Sequence, residues 1–216
     1  MAAKPTQARR PAPRLYLVTP LDAAGLEQRL AQALAAADVA AVLLRLPETD
    51  ERGQINHAKA LVPIVQGKGA ALLLDGHPDL AARAAADGAH LHGIDALTEA
   101  LATLKPERIA GCGDLDSRHD AMLAAEAGAD YVMFGEPDAA GHRPSFEAVV
   151  ERVAWWAEVF EIPCVGFAAA LEEVEPLATA GADFVALGDW VFADARGSAA
   201  ALADAARRLE VAELAT

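Results

Sequence analysis

Three segments of the chain are nearly alike, and their spacing limits the folds that the chain can adopt. They are Ala85–Leu91, Ala127–Met133 and Ala180–Ala186. Each closes an alanine-rich helical run, turns at small residues and an Asp, and enters a short apolar strand. The pattern recurs every 43 to 53 residues, which is about the length of two β/α units, so it marks alternate units of a parallel array.

Strands and helices alternate strictly along the rest of the chain, and a count of eight units favours a closed barrel. We therefore predict a single-domain α/β protein with the (β/α)8 TIM-barrel fold, at the short end for that fold with 216 residues. The predicted strands are Arg14–Thr19, Ala40–Arg45, Ala70–Leu74, Ala89–His92, Arg108–Gly111, Tyr131–Phe134, Pro163–Gly166 and Phe184–Leu187. The predicted helices are Leu26–Ala37, Ile55–Gln66, Pro78–Ala86, Ala96–Leu104, Arg118–Ala127, Phe146–Val159, Leu171–Ala180 and Ser198–Leu209.

Composition excludes several classes of protein. A net charge of −14 argues against nucleic-acid binding. No run of 18 apolar residues is present, so no membrane span is expected. The two cysteines suit a reduced, cytoplasmic protein better than a disulfide scaffold. Residues 1–13 are basic and proline-rich without an apolar signal core, and we predict a disordered tail there, followed by the barrel over residues 14–216.

In a barrel of this kind the loops after the strands build the active site. Asp75 and Asp95 follow neighbouring strands and could share a Mg²⁺ ion, or they could be ordinary acids of the rim. Arg45 could grip a phosphate group or pair with a rim acid. Glu136 could be a general base, or a salt-bridge partner of Arg143.

Histidines and a cysteine add further candidates. His90 and His92 share one face of a strand, and with Asp95 they hint at a transition-metal site, although His90 more readily fits the barrel interior. His77 could be an acid–base group or a solvated loop residue, and Cys112 fits a small core or rim residue.

At these residues the chain resembles the thiamine phosphate synthase and TenI family. The resemblance covers roughly Leu15 to Ala193, and its anchors are Leu15–Thr19, Ala86–Leu91, Ala127–Gly135, Ile162–Val165 and Ala180–Asp183. It implies coupling of hydroxymethylpyrimidine diphosphate with thiazole phosphate, with Mg²⁺ helping diphosphate to leave. The TenI branch instead tautomerises the thiazole.

Several functional positions depart from the family pattern. Where synthases read Gln-Leu-Arg-Glu-Lys, this chain keeps only Arg45, while Asp95 matches the second metal-ligating Asp. The Gly-Gly after the seventh strand is Ala168-Ala169, and Glu136 stands where TenI proteins have a His. The resulting assignment is Arg45 and Glu136 as catalytic residues, Asp75 and Asp95 as Mg²⁺ ligands, and Arg45, His77, Gly113, Ala168 and Gly188 as substrate-binding residues.

Three functions follow from these observations. The leading one is a thiamine phosphate synthase-like transferase whose activity is reduced or lost, acting on a phosphorylated heterocycle. The alternatives are a TenI-like thiazole tautomerase that uses Glu136, and a non-catalytic barrel that binds a small ligand. A homo-oligomer is compatible with the sequence, which by itself leaves the oligomeric state open.

Overall fold

The eight predicted strands form one closed parallel barrel, in which each strand pairs with the next and β8 pairs with β1. The computed structural model describes residues 11–21, 24–138 and 140–214. The strands are β1 (Arg14–Val18), β2 (Val39–Leu44), β3 (Ala71–Asp75), β4 (Gly88–His92), β5 (Ile109–Gly113), β6 (Tyr131–Phe134), β7 (Cys164–Ala168) and β8 (Phe184–Leu187). The prediction of a single-domain TIM barrel is confirmed.

Helices cover the outside of this barrel. They are α1 (Leu26–Ala36), α2 (Glu51–Gln66), α3 (Pro78–Ala84), α4 (Gly93–Leu104), α5 (Arg118–Ala127), α6 (Phe146–Val159), α7 (Val174–Thr179), α8 (Trp190–Ala193) and α9 (Ser198–Leu214), with a 3₁₀ turn at Leu171–Glu173. Residues 1–10 of the predicted tail lie outside the described residues, and residues 11–13 precede β1 without regular secondary structure.

Most differences from the predicted elements lie at their ends, and the short helix α8 was not predicted. Helix α2 begins four residues early, because the side chain of Asp50 accepts a hydrogen bond from the Gly53 amide (2.8 Å) and caps it. Helix α4 begins at Gly93, three residues before the predicted start, so Asp95 lies in its first turn. The seventh helix divides into the 3₁₀ turn and α7.

The repeated aspartates explain the repeat that opened the sequence analysis. Asp87, Asp130 and Asp183 each stand just before an even-numbered strand, and each carboxylate accepts a backbone N–H from the preceding odd-numbered strand. The donors are Leu72 (2.7 Å), Ala110 (2.7 Å) and Cys164 (2.8 Å). The motif therefore ties β3 to β4, β5 to β6 and β7 to β8 at the amino-terminal end of the barrel.

The first strand pair uses a different device at the same place. Asp38 precedes β2, and its carboxylate accepts two hydrogen bonds from the guanidinium of Arg14, at 3.0 and 3.1 Å. In the β1–β2 unit a side-chain ion pair therefore takes the place of the aspartate-to-amide bond.

Two apolar layers hold the barrel. The outer one fills the space between strands and helices and is dominated by Leu, Val and Ala. The inner one fills the barrel itself, with side chains from alternate strand positions. Its members are Tyr16, Val18, Ala41, Leu43, Leu73, Tyr131, Met133, Val165, Phe167 and Ala186. In the described part of the chain no helix is long and apolar enough to cross a membrane.

Candidate active site

Polar residues continue the inward-facing rows of the inner layer where the strands end, at the carboxyl-terminal mouth of the barrel. Residues two apart on a strand point to the same side. The row of Ala41 and Leu43 therefore leads to Arg45, and the row of Ala71 and Leu73 leads to Asp75. The apolar interior thus changes to a charged mouth within one layer of side chains.

A cavity of about 610 Å³ lies at this mouth. Its lining brings together the last residues of β3 and β4 and residues from the loops after β1, β2, β5 and β6: Leu21, Arg45, Asp75, His92, Asp114, Pro137, Asp138 and Gly141. A smaller cavity of about 220 Å³ adjoins it, shares Asp114 and Asp138 with it, and is lined by Glu136 and Arg143 among others. Of the residues predicted at the mouth, Arg45 and Asp75 therefore line the larger cavity and Glu136 lines the smaller one.

Arg45 is held at the edge of the larger cavity. Its backbone N–H donates to the hydroxyl of Thr19 (3.1 Å), which is fully buried at the end of β1. Its guanidinium lies 3.2 Å from a carboxylate oxygen of Asp189 and 3.6 Å from one of Asp75. The side chain that could grip a phosphate group is thus paired with two rim acids, as the alternative interpretation of the sequence expected.

Asp75 also pairs with His92. The imidazole Nε2 lies 2.7 Å from Asp75 Oδ1. Burial by itself would raise the pKa of Asp75, but the hydrogen bond from His92 and the Arg45 guanidinium hold the pKa below its ordinary value. The same hydrogen bond raises the pKa of His92. Both carboxylate oxygens of Asp75 therefore face cationic groups of the protein.

Glu136 lies deeper, at the end of β6. Its side chain is only 9% exposed, and its Oε1 accepts a short hydrogen bond (2.6 Å) from the backbone N–H of Asp114. Burial raises the pKa of Glu136, although the bond from Asp114 opposes that rise. A carboxyl group with a raised pKa at the mouth of a barrel is a candidate for accepting and releasing a proton.

Beneath Glu136 runs a buried chain of hydrogen bonds. The hydroxyls of Tyr16 and Tyr131 are 2.9 Å apart, and the Tyr131 hydroxyl is 3.0 Å from His90 Nδ1. His90 Nε2 then faces Glu136 Oε1 at 4.0 Å. Burial lowers the pKa of His90 to about 3, so the ring is neutral at physiological pH.

Two glycines of β5 make room for this chain. A Cβ at Gly111 would lie 2.0 Å from the ring of Tyr131, and one at Gly113 would lie 1.8 Å from Glu136 Oε1. Because no side chain fits at either position, β5 supplies a flat wall against which the tyrosine, histidine and glutamate pack. Gly113 therefore lies at the predicted site, where it shapes the space around Glu136 and His90.

Arg143 crosses the mouth on its other side, where it forms what we call the Arg143–Glu173 clamp. Its NH1 donates to both carboxylate oxygens of Glu173, at 3.0 and 3.1 Å, and its Nε and NH2 donate to the backbone carbonyls of Gly135 (3.1 Å) and Phe167 (3.2 Å). Glu173 also accepts from the backbone N–H of Ala169 (2.7 Å). The suggested pair between Arg143 and Glu136 is therefore wrong, because Glu173 holds the guanidinium.

The remaining predicted residues lie apart from the two cavities. Asp95 is exposed on α4, and His77 is half-buried at the N-cap of α3; neither lines the cavities described above. The backbone N–H of Gly188 donates to the carbonyl of Ala168 (3.3 Å), which also accepts from the indole of Trp190 (3.0 Å). Cys112 is buried, and burial raises the pKa of its thiol to about 12.

Sequence reasoning missed four participants at the mouth: Tyr16, Tyr131, Asp114 and Glu173. The two tyrosines carried a usable signal, because a hydroxyl buried inside a barrel needs a partner on a facing strand. Asp114 acts through its backbone N–H, and Glu173 acts across a loop. Neither contact has a sequence pattern that would have pointed to it.

Comparison with known proteins identifies the family of this chain. The family model described as "Thiamine monophosphate synthase" matches residues 15–190. A thiamine-phosphate synthase of Rhodospirillum centenum is 41% identical over 196 residues, which cover 88% of this chain and 95% of that protein. One from Hyphomonas neptunium is 34% identical over 203 residues, with 89% and 92% covered.

Solved structures agree on the fold. A thiamine phosphate pyrophosphorylase from Pyrococcus furiosus superposes with a TM-score of 0.78 at 21% identity, covering 92% of this chain and 96% of that one. A 3-hexulose-6-phosphate synthase from Salmonella typhimurium gives a TM-score of 0.72 at 17% identity, covering 92% and 99%. The match to the family model begins at the second residue of β1 and ends after β8, so it includes all eight strands of the barrel. The chain therefore belongs to the thiamine monophosphate synthase family.

Proposed function

We propose that this protein is a thiamine phosphate synthase-like transferase. It would couple hydroxymethylpyrimidine diphosphate with thiazole phosphate and release diphosphate. The observation that carries the proposal is the family match across nearly the whole barrel, together with a cavity at the mouth edged by Arg45. A relative that is 41% identical and covered over 95% of its length bears the name of this activity.

Arg45 is the residue proposed to hold the diphosphate. A guanidinium can donate two parallel hydrogen bonds to a phosphate group. In this structure the Arg45 guanidinium faces the carboxylates of Asp189 (3.2 Å) and Asp75 (3.6 Å). A bound diphosphate would have to compete with these two acids, which supports a reduced activity rather than an efficient one.

The charge of the mouth is a second reason to expect weak diphosphate binding. The larger cavity is lined by the acids Asp75, Asp114 and Asp138, against Arg45 and His92. Carboxylates around a cavity repel a polyanionic ligand, and the repulsion grows as water is excluded. Phosphorylated substrates would therefore need an added cation to bind well at this place.

Mg²⁺ would be that cation, but the donors as arranged do not form a site for it. Asp75 is engaged by His92 and Arg45, and Asp95 is exposed on α4. Over residues 11–21, 24–138 and 140–214 no group of three His, Cys, Asp or Glu side chains is arranged to hold a metal ion. The assignment of a Mg²⁺ site to Asp75 and Asp95 stays a prediction.

A direct assay tests the main proposal. The purified protein is incubated with hydroxymethylpyrimidine diphosphate, thiazole phosphate and Mg²⁺, and thiamine phosphate is measured. We expect slow formation of product that is abolished by Arg45→Ala. Absence of product, with an intact fold by circular dichroism, would contradict the synthase activity.

Calorimetric titration of each substrate with and without Mg²⁺ separates the possibilities further. Diphosphate binding that requires Mg²⁺ supports the synthase. Mg²⁺ affinity that is unchanged in both Asp75→Asn and Asp95→Asn would remove those residues as ligands.

Glu136 favours a second candidate function, a thiazole tautomerase. Its carboxyl is buried at the mouth, burial raises its pKa, and it could move a proton on the thiazole ring without diphosphate or metal. Thiazole phosphate that binds while pyrimidine diphosphate does not would support this candidate. Hydrogen exchange of thiazole phosphate in D₂O, compared between wild type and Glu136→Gln, would then measure the proton transfer.

A further inference from the structure

The unexplained feature of the mouth is a nitrogen of His90. The side chain is 1% exposed, and Nε2 has no hydrogen-bond partner among the described residues. Buried polar atoms are nearly always paired, because an unpaired one costs about 1–3 kcal/mol. A carboxylate oxygen of Glu136 lies 4.0 Å from this nitrogen, which is beyond hydrogen-bond distance but within reach of a small side-chain rotation.

Counting protons along the buried chain shows which ring nitrogen carries the hydrogen. If Tyr16 donates to Tyr131 and Tyr131 donates to His90 Nδ1, every hydroxyl hydrogen has an acceptor, and the ring proton lies on Nε2. In the opposite direction, Nδ1 donates to Tyr131 and Tyr131 donates to Tyr16. The hydroxyl hydrogen of Tyr16 is then without an acceptor, since Tyr131 is its hydrogen-bond partner.

The first arrangement is therefore the more stable one, because burying an unpaired hydroxyl is unfavourable. It points the Nε2–H bond of His90 towards Glu136. Gly113 keeps the path clear, since a Cβ there would lie 2.6 Å from His90 Nε2 and 1.8 Å from Glu136 Oε1. Because Gly113 has no side chain, nothing from this residue separates His90 Nε2 from Glu136 Oε1, and a hydrogen bond can form between them.

The other groups that face Glu136 do not replace this contact. From β5 and its loop the Asp114 amide donates to Oε1, while the Asp114 carboxylate and the Cys112 thiol add no donor to it. The backbone N–H of Glu136 itself also donates to the carboxylate. From β4 the imidazole of His92 is bound to Asp75 of β3. Arg143, in the loop after β6, is held by Glu173.

We propose that His90, with its ring proton fixed on Nε2 by the hydroxyl of Tyr131, donates a hydrogen bond to the Glu136 carboxylate and so positions Glu136 as the proton acceptor at the mouth. The proton that Glu136 takes comes from the ligand, whose bond to hydrogen breaks as the carboxyl O–H forms. The carboxyl then returns a proton to another atom of the ligand, and His90 keeps its own throughout. This role of His90 rests on the proposed role of Glu136.

The tautomer of His90 can be measured without any substrate. Nitrogen-15 NMR of protein with labelled histidine distinguishes a protonated ring nitrogen from an unprotonated one, and His90→Gln assigns the signals. We expect Nε2 protonated and Nδ1 unprotonated at neutral pH. A proton on Nδ1 would overturn the proposal, whether or not the protein turns over thiazole phosphate.

The ionisation of Glu136 gives the second test. In Tyr131→Phe the hydroxyl that fixes the tautomer is gone, and we expect the acid ionisation constant of Glu136 to fall about tenfold, equal to a pKa rise of about one unit. The pKa is followed through the carboxyl stretching band in the infrared, assigned with Glu136→Gln. An unchanged ionisation constant in Tyr131→Phe would contradict the proposal.

Tyr16→Phe is the matched control for that experiment. It also removes one buried hydroxyl, but Tyr131 can still donate to Nδ1, so the ring proton stays on Nε2. We expect the ionisation constant of Glu136 to change by less than about twofold, well under half a pKa unit. Equal effects of the two variants would mean that the change arises from disturbed packing, and the proposal would fail.

Because these measurements read tautomer and ionisation, their failure is distinct from failure of the proposed function. An active enzyme with Nδ1 protonated would remove His90 as the positioning residue and leave the activity standing. A protonated Nε2 and a Tyr131-sensitive Glu136 in a protein without turnover would leave this inference standing and remove the activity.

Discussion

Two glutamates at the mouth of the barrel are held in opposite ways. Glu173 accepts two hydrogen bonds from Arg143 and one from the Ala169 amide, so its negative charge is fully paired. Glu136 is more deeply buried, accepts backbone hydrogen bonds from Asp114 and from its own N–H, and faces a nitrogen of His90 that has no partner among the described residues. The first is a structural tie between two loops, and the second is a carboxyl whose charge the surroundings only partly stabilise.

The difference between the two glutamates indicates which carboxyl group at the mouth can take part in proton transfer. A carboxylate bound by a guanidinium stays ionised, because its hydrogen bonds are charge-assisted and favour the charged form. A buried carboxyl with fewer donors has its pKa raised, as burial does for Glu136. A raised pKa brings the ionisation of Glu136 closer to neutral pH, where a general base works best.

The same clamp also bears on phosphate binding. In many TIM barrels the loops after strands seven and eight hold a phosphate group with backbone N–H donors. In this chain the Ala169 amide and the Arg143 guanidinium already hold a carboxylate of the protein itself. A phosphate at this place would have to displace Glu173.

The largest expected effect separates the two glutamates directly. Glu136→Gln should lower the rate of proton transfer on thiazole phosphate by about 10²–10⁴-fold, the usual contribution of a general base. Glu173→Gln should lower it far less, because Glu173 lies in the clamp. Hydrogen exchange of the substrate in D₂O measures both rates, and equal losses would contradict the comparison.

The Arg143–Glu173 clamp should contribute to the stability of the protein more than to proton transfer. Arg143→Ala removes hydrogen bonds to Glu173, Gly135 and Phe167. We expect the free energy of unfolding to fall by about 3 kcal/mol, because removing one partner of a buried ion pair costs about 3–5 kcal/mol and this pair is partly exposed. Urea denaturation measures the change. Arg208→Ala breaks an exposed pair with Glu175 and serves as the control, with an expected change of less than about 1 kcal/mol.

A smaller effect follows from crowding the Glu136 region. Gly113→Ala introduces a methyl group 1.8 Å from Glu136 Oε1, so the carboxylate or β5 must shift. We expect a loss of about 1–3 kcal/mol in unfolding free energy, as for other overpacked sites. The infrared band of Glu136 should also move, and an unchanged band together with unchanged stability would show that the space is less restricted than described.

The smallest expected effect concerns the pair of Asp75 and His92. The pKa of His92 is raised, so its stabilising contribution is full below its ordinary pKa and is lost as the pH rises through the folded value. The pKa of Asp75 is lowered, so its contribution is present above its ordinary pKa and is lost as the pH falls through the folded value. The pair therefore stabilises most between about pH 4 and pH 6.5, the ordinary values for the two groups.

Removing the imidazole tests this window. His92→Asn, measured by urea denaturation in EDTA-treated buffer, should lower stability by less than about 1 kcal/mol, because the side chain is 44% exposed. The loss should be largest within the window and shrink on both sides of it. His142→Asn, at an 84% exposed position, is the control, and an equal pH dependence in both variants would contradict the pairing.

Much of the fold could be predicted from the sequence, because the order of strands and helices depends on local patterns of residues. The three aspartate motifs predicted alternate β/α units, and the structure gives the physical reason, since each aspartate binds an amide of the preceding strand. The starts of α5 and α6 were predicted correctly, and the side chains of Ser117 and Ser145 cap these two helices. The predicted start of the fourth helix was three residues late, because α4 begins directly after β4.

The sequence by itself determined the barrel, its mouth, and the presence of Arg45, Asp75 and Glu136 there, since strand order and side-chain alternation fix which residues end each inward-facing row. Only the tertiary structure decided which charges pair. In the structure Arg143 pairs with Glu173, Asp75 pairs with His92, and Glu136 faces His90. Those choices depend on distances between strands that are far apart in the chain, and on the low dielectric of the barrel, neither of which a local pattern of residues contains.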